Sequence, residues 1–441
     1  MPNAHDALAL AKRTLSFVKG ADQASVAVNV ADGAYSRFAR NYVVQNLASL
    51  GTTVSVTYIK GKRTGTSTTG DLSDAGLRAV VAKAADVSSR VPANKEFVSL
   101  PKPGAIPQAT HSVYPGTAHA SPELRIEKLK RVFARMQQSS LNSSGFTTTQ
   151  FLASAVVNSL GVAAAWEGTY AGIEIKAIGE RTSGYADYWT RNYDALDSAE
   201  RAERAAAKAT VSNDPADFPP GTYTVILEPP AFVDCINNLY YGFAVEAVKE
   251  NQDSWLIGRL GKRVLSPNLT IVDDWSHPLV ANQPFASDGA PTQRVVLVEK
   301  GVPKGTVSST YSANKFKIPN TGHDGYPSNA IVMPGTKTRE QLIAETERGI
   351  LISRTWYTRV VDPRTCTITG LTRDGVYLIE NGKLTKTLKN FRFFTSMVGA
   401  LSDAEFGNTL YRSESSDAPQ TLLVPDVKIA KFTLSAQTSF A

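Results

Sequence analysis

Residues 146–189 read FTTTQFLASAVVNSLGVAAAWEGTYAGIEIKAIGERTSGYADYW. Apolar or β-branched runs recur in this stretch at Phe146–Phe151, Ala153–Ser159, Gly161–Trp166, Gly172–Ile178 and Gly184–Trp189, most of them bounded by Gly, Ser or Asn. Short runs of this kind, punctuated by turn formers, predict a meander of antiparallel strands. Helical signals flank it. Glu123–Met136 carries an apolar stripe at Ile126, Leu129, Phe133 and Met136, and Ala195–Ala209 is rich in Ala and Glu.

Toward the N-terminus the pattern predicts a helix over Ala7–Val18 and a strand at Ala24–Val30. Thr53–Ile59 and Arg63–Thr69 then pair across a Lys60-Gly61-Lys62 turn. A helix follows, capped by Asp71 or Ser73, with Leu77, Val80, Val81 and Ala84 at helical spacing and Val91-Pro92 as its stop. The Pro-rich segment 101–122 favours an extended connection or flap.

Toward the C-terminus, the punctuation from Ser212-Asn213-Asp214-Pro215 through Pro219-Pro220-Gly221 is the heaviest in the chain. It divides the molecule into a mixed helix and sheet N-terminal domain, 1–215, and a β-rich C-terminal domain with antiparallel sheets, 216–441. The second half opens with a strand at Thr222–Leu227. Pro229-Pro230 then starts a helix with Phe232, Ile236, Leu239 and Phe243 on one face. A strand over Arg294–Glu299 runs into a Lys300-Gly301 turn. Thr338 and Gln341 are spaced as a capping box, and Gly349 suits the left-handed position that ends a helix. Val376–Glu380 and Lys383–Leu388 flank Asn381-Gly382, a dipeptide suited to a two-residue hairpin. Thr421–Val424 and Val427–Thr433 are the last expected strands.

The chain has 441 residues, 42% hydrophobic and 20% charged, with 47 Lys+Arg against 40 Asp+Glu for a net charge of +7. At roughly 100–200 residues per domain this suggests about two to four domains, and it excludes disordered, collagen-like and disulfide-framework classes. The densest basic cluster, Arg125, Lys128, Lys130, Arg131 and Arg135, lies on the Glu123–Met136 helix. A solvated helix face is the favoured reading over a phosphate-binding surface. No stretch of about 20 apolar residues is present, the start has no secretion-signal pattern, and two cysteines fit a reducing compartment. A cytoplasmic protein with no membrane partner is expected.

The five histidines, His5, His111, His119, His277 and His323, are never three to five residues apart, so no HExxH or HExxxH helix exists. P-loop and Gly-x-Ser-x-Gly patterns are also absent. Cys235, on the helix after Pro229-Pro230, reads as a buried core thiol rather than a nucleophile, and Cys366, in the loop Asp362-Pro363-Arg364-Thr365-Cys366, is no more favoured for chemistry. The loop Thr321–Gly325 could hold His323 and Asp324 in a concave place, with a structural hydrogen-bonding role for His323 favoured over a binding role.

The second half resembles the TldD/PmbA family, and within it the PmbA/TldE branch. The resemblance rests on Leu260-Gly261-Lys262-Arg263-Val264-Leu265-Ser266-Pro267-Asn268-Leu269-Thr270-Ile271, Asp288-Gly289-Ala290-Pro291-Thr292-Gln293-Arg294, Leu297-Val298-Glu299-Lys300-Gly301-Val302, Thr310-Tyr311-Ser312-Ala313-Asn314-Lys315, Thr321-Gly322-His323 and Tyr377–Lys383, in that order. It implies a two-domain α+β subunit that pairs with a catalytic TldD-like sister to form a cytosolic zinc metallopeptidase for unfolded or small modified peptides. The sister carries an HExxxH helix and a cysteine ligand. Here the corresponding helix resembles Asp234–Gly242, with Cys235, Asn237, Asn238 and Tyr241 standing in a degenerate zinc-helix position. The place of the ligand cysteine falls near Tyr411-Arg412-Ser413-Glu414. No catalytic and no metal residue carries over, and zinc is expected only in the sister subunit.

The resulting expectation is a non-catalytic subunit of a heterodimer whose exposed strand edges receive a peptide, with His323, Asp324, Tyr311 and Arg412 as cleft residues. Arg412 or His323 would meet a carboxyl group. A homodimer of the chain alone remains compatible. Two rivals stand beside it: a regulator of DNA gyrase or nucleic acid acting through the Arg125–Arg135 face, following the family's naming association, and an independent peptidase using Cys235 or an unrecognised site. Nucleic acid is the less favoured partner.

Overall fold

A computed structural model describes residues 2–109, 112–281, 283–415 and 421–438. His111 lies outside them.

The chain begins with α1 (Ala4–Ser16), where Asn3 and Asp6 cap each other's backbone N–H groups. Three strands follow: β1 (Gln23–Ala39), β2 (Tyr42–Lys60) and β3 (Arg63–Thr69). The first two are far longer than the apolar runs Ala24–Val30 and Thr53–Ile59. Pairing continues through Ala39↔Tyr42, where Arg40 and Asn41, both at positive φ, make a two-residue hairpin without glycine. Ser73 caps α2 (Asp74–Arg90), accepting from Gly76 N, while Asp71 accepts from Ser73 N.

Inside the Pro-rich segment lies a short helix, α3 (Pro115–Ala118), so this stretch is not wholly extended. Pro115 occupies the first turn, where a missing N–H costs nothing. Next come α4 (Pro122–Gln138), β4 (Asn142–Asn158), β5 (Ala163–Ile178), β6 (Ser183–Thr190) and α5 (Ser198–Ala209). The meander of residues 146–189 is thus three long strands rather than five short ones. Its Ser, Thr and small residues stay in the ladder because strands on both sides pair with them.

The six strands form one antiparallel sheet in the order β3-β2-β1-β4-β5-β6. On one face, α1 and α2 cover Val26, Val28, Val30, Val54 and Val56, and α4 and α5 cover Phe38, Ile173 and Ile175. Each such side chain contributes roughly 1.5–3 kcal/mol. The basic helix is not a uniformly solvated face. Arg125 and Lys128 are buried, Arg125 donating to Ser36 Oγ (3.2 Å) and the Ala120 carbonyl (3.2 Å) and Lys128 to the Leu196 carbonyl (2.7 Å). Two of its five cations therefore serve packing, and only Lys130 and Arg131 are fully exposed.

The second half begins with β7 (Gly221–Leu227), α6 (Pro229–Tyr240) and α7 (Val245–Lys249), followed by β8 (Ile271–Asp273), β9 (Val295–Glu299), β10 (Val302–Pro303), α8 (Thr310–Phe316), β11 (Ala330–Val332) and α9 (Arg339–Ala344). Then come β12 (Arg348–Asp362), β13 (Thr367–Glu380), β14 (Lys383–Thr387), β15 (Phe391–Ser396), α10 (Met397–Ala400), β16 (Ala404–Phe406), β17 (Tyr411–Glu414), β18 (Thr421–Val424) and β19 (Val427–Gln437). Thr338 and Gln341 form the capping box of α9. Gly349 does not end that helix: α9 stops at Ala344, and Gly349 is extended in β12 opposite Ile379. Asn381 and Gly382 both take positive φ in the β13–β14 hairpin.

Among the described residues, β12, β7, β19, β15 and β13 pair in sequence, and β13 pairs back to β12, closing a ring. A second sheet runs β10-β9-β8-β11-β18-β17 and leaves β17 at an edge. Most pairings are antiparallel; β7–β12 and β11–β18 are parallel. The apolar residues of α6 share one core with Ile350, Phe391 and Phe393 of the ring. The fold is α+β with a β-rich second half. Tyr377 Oη donates to the Ser183 carbonyl (3.0 Å), and Lys176 pairs with Asp374 (2.5 Å), joining the two halves. Among the described residues no helix is long and apolar enough to cross a membrane.

Candidate functional site

Helix α6 starts at Pro229-Pro230, behind the N-cap Glu228. Burial opposes charge on Glu228, but Lys208 (2.6 Å) and Arg339 (2.8 Å) outweigh it and hold the carboxyl down to about 2. The helix is buried on nearly all sides. Asp234, 2% exposed, accepts from Thr355 Oγ1 (3.1 Å) and from Ser415 Oγ (2.8 Å), one on each carboxylate oxygen. Asn238 Nδ2 donates to the Asp234 carbonyl (2.7 Å). Asn237 is half-buried, and Tyr241 is exposed beside Asn251.

Cys235 is fully buried, and burial, with Asp234 and Cys366 adding to it, pushes its thiol well above the ordinary range. Burial likewise pushes Cys366 up to about 12. A neutral, enclosed thiol is a poor nucleophile and a poor metal ligand. Among the described residues no three His, Cys, Asp or Glu side chains gather to hold a metal. Zinc does not fit α6: it carries no imidazole, its thiol is protonated, and both oxygens of its carboxylate are engaged by hydroxyls.

The open chemistry lies on the face of the first sheet opposite the helices, beyond the part that Phe285, Ile106 and Ala109 cover. The register sets Tyr35 opposite Thr148, Arg37 opposite Phe146, and Tyr170 opposite Gln150, so alternate residues of β1, β4 and β5 project to one side. With Glu174, Trp189 and, from the second half, Glu414 of β17, they line a groove of about 770 Å³. Trp189 stacks on Tyr170 (5.4 Å between ring centroids) and tilts against Phe146 (6.0 Å). Gly172 makes room for this. A Cβ there would lie 2.0 Å from the Trp189 ring. Burial raises Glu174 to about 7 against the pull of Arg354, and Asp187 to about 6 against that of Arg201.

The four expected cleft residues do not come together. Arg412, 9% exposed, does not line the groove but sets its guanidinium over the ring of Tyr170, which does (4.8 Å). His323 is 2% exposed, and its ring nitrogens bond Thr321 Oγ1 (2.9 Å) and Asp273 Oδ1 (3.1 Å), so it braces its own loop instead of facing a ligand. Asp324 accepts from the Ser287 backbone and hydroxyl. Tyr311, on α8, donates to Glu96 (2.9 Å) and accepts from Lys315 (2.8 Å) beside a separate cavity of about 260 Å³. Tyr170, Trp189, Phe146 and Glu174 were missed. The available signal was large aromatics at alternate positions on a face that otherwise would meet water.

Three family models match the chain: PmbA/TldA metallopeptidase domain 1 over residues 24–88, the central domain over 116–213 and the C-terminal domain over 220–435. Metalloprotease PmbA of Escherichia coli O157:H7 is 27% identical over 188 residues, 41% of this chain and 39% of that protein. The Metalloprotease TldD homolog of Haemophilus influenzae is 26% identical over 206 residues, 42% of each. The match thus spans about two fifths of the length of these curated relatives. Among solved structures, TldE from Thermococcus kodakarensis superposes with a TM-score of 0.85 at 20% identity, over 97% of this chain and 99% of that one. A Thermotoga maritima protein described as a candidate modulator of a DNA gyrase gives 0.84 at 20% identity, over 96% and 99%. These likenesses show the fold.

Proposed function

The chain belongs to the PmbA/TldD metallopeptidase family, and from that premise we propose that it is a non-catalytic, PmbA/TldE-like subunit of a heteromeric zinc peptidase acting on unfolded or small modified peptides. The observation that carries this reading is α6. In the position the resemblance gives to the zinc helix, its carboxylate is engaged, its thiol is buried and no imidazole is present. Zinc and the hydrolytic chemistry it supplies belong, on this reading, to a TldD-like partner subunit.

What remains for this chain is binding and orientation. The aromatic groove offers an apolar floor to peptide side chains, with Glu414 of β17 at its wall. Neither rival gains support. The nucleic-acid face loses Arg125 and Lys128 to packing, and Cys235 is enclosed.

Purification with and without a TldD-like sister subunit tests the proposal. The chain alone is expected to hold far less than one zinc per molecule and to leave peptides intact, while the assembly cleaves them. Stoichiometric zinc and full-rate cleavage by the chain alone would overturn it.

A further inference from the structure

Arg191, immediately after β6, and Arg412, on β17, meet where the first sheet abuts the second half. They are 3% and 9% exposed. Arg191 Nη1 makes two long hydrogen bonds, to the Pro278 and Val280 carbonyls (3.4 Å each). Its Nε and Nη2, and Nε and Nη1 of Arg412, are buried and have no partner among the described residues. The Tyr170 ring lies beneath the Arg412 guanidinium, and Tyr170 Oη is buried without a partner too. Five buried polar atoms of these three side chains are therefore without a partner.

The imbalance is local. A short distance away Lys208 and Arg339 are matched by Glu228 and Asp426, and Arg201 and Arg204 by Glu200. Burial and then Arg191 push Arg412 down to about 9, and no carboxylate offsets them; on Arg191 only Tyr114 opposes burial. Water could satisfy the donors but would leave two like charges enclosed without a counter-charge, whereas an anion supplies both.

We propose that Arg191 and Arg412, with Tyr170 Oη, form a buried binding site for one small oxyanion of the carboxylate type. Two sources share that chemistry: a free ion, or the terminal carboxylate of a peptide lying in the groove, since Tyr170 lines the groove and lies beneath Arg412. The site does not depend on the subunit reading, because a free ion suffices to fill it.

Thermal unfolding of the full chain, in zwitterionic buffer titrated with sodium acetate, tests this. Wild type is expected to show a rise that grows with the logarithm of acetate concentration above Kd and reaches about 3 °C at a hundredfold excess. Arg191→Gln and Arg412→Gln should lose that rise and, without acetate, be no less stable than wild type, since each removes one of two repelling charges. A flat wild-type curve, or an equal rise in the variants, would overturn the site in favour of water. Should the variants fail to fold, bromide soaked into wild-type crystals decides: an anomalous peak between the two guanidinium groups supports the site, and its absence overturns it. An apolar peptide with a free C-terminus that competes with acetate, when its amide does not, assigns the anion to a chain end; failure of both to compete assigns it to a free ion. Zinc found in the chain alone would sink the subunit reading and leave these readouts unchanged.

Discussion

The surroundings of Asp234 and of Arg412 belong to adjacent elements, α6 and β17, yet they are opposite in character. Around Asp234 every charge has been answered: two hydroxyls hold its carboxylate, and Cys235 beside it is sealed in core. Around Arg412 donors outnumber acceptors, and an aromatic groove opens next to them. A carboxylate held by hydrogen bonds contributes stability, while a cluster of unanswered donors is where a ligand gains most by arriving. The helix that family resemblance marks for chemistry has its carboxylate held and its thiol enclosed, while the neighbouring seam holds the unpartnered donors.

The strongest way to break this contrast is to empty the core under α6. Phe232→Ala removes a ring with no exposure, and a loss of about 3–5 kcal/mol is expected by urea denaturation; a loss below about 1 kcal/mol would show that α6 is not framework. A smaller effect of opposite sign is expected in the groove. Glu174 and Asp187 are raised to about 7 and about 6, from ordinary values of 4.5 and 3.8, so the folded chain binds more protons than the unfolded one. Their contribution is full below the ordinary values and is lost as pH rises through 6 to 7. Glu174→Gln should be more stable than wild type by about 1–3 kcal/mol at pH 8 and nearly equal to it at pH 5. Urea midpoints across that range decide it, and a pH-independent difference would refute the account. The smallest effect concerns the thiols. Cys235→Ala should cost about 1 kcal/mol and leave the activity of any assembly unchanged, and neither Cys235 nor Cys366 should react with a thiol reagent before unfolding.

Local chemistry was legible in the sequence wherever one or two residues dictate a conformation. Asn381-Gly382, Gly61-Lys62 and the Thr338–Gln341 cap stand where their residue types require. Strand length was not legible, because a Thr or Ser inside β4 resembles a turn until the neighbouring strands are known to pair with it. The same limit hid the Arg40-Asn41 turn, which lacks the usual glycine, and most of β12. Arg125 and Lys128 read as surface because a cation's carbonyl and hydroxyl partners, at Ala120, Ser36 and Leu196, leave no mark in composition. The groove was hidden for a related reason: the register decides which aromatics share a face, and it emerges only from the assembled sheet.

The closed ring of the second half has a consequence in time. Thr224 of β7 reaches across to the Ala430 carbonyl, 206 residues further along the chain. At a synthesis rate of roughly 5–20 residues per second, β7 leaves the ribosome about 10–40 s before this partner exists. The first sheet, built between residues 23 and 190, can assemble during that interval. Ile350–Ile352 of β12 can pair with Val225-Ile226-Leu227 sooner, but the other edge of β7 stays open until β19 is made, a template for wrong pairing throughout that interval.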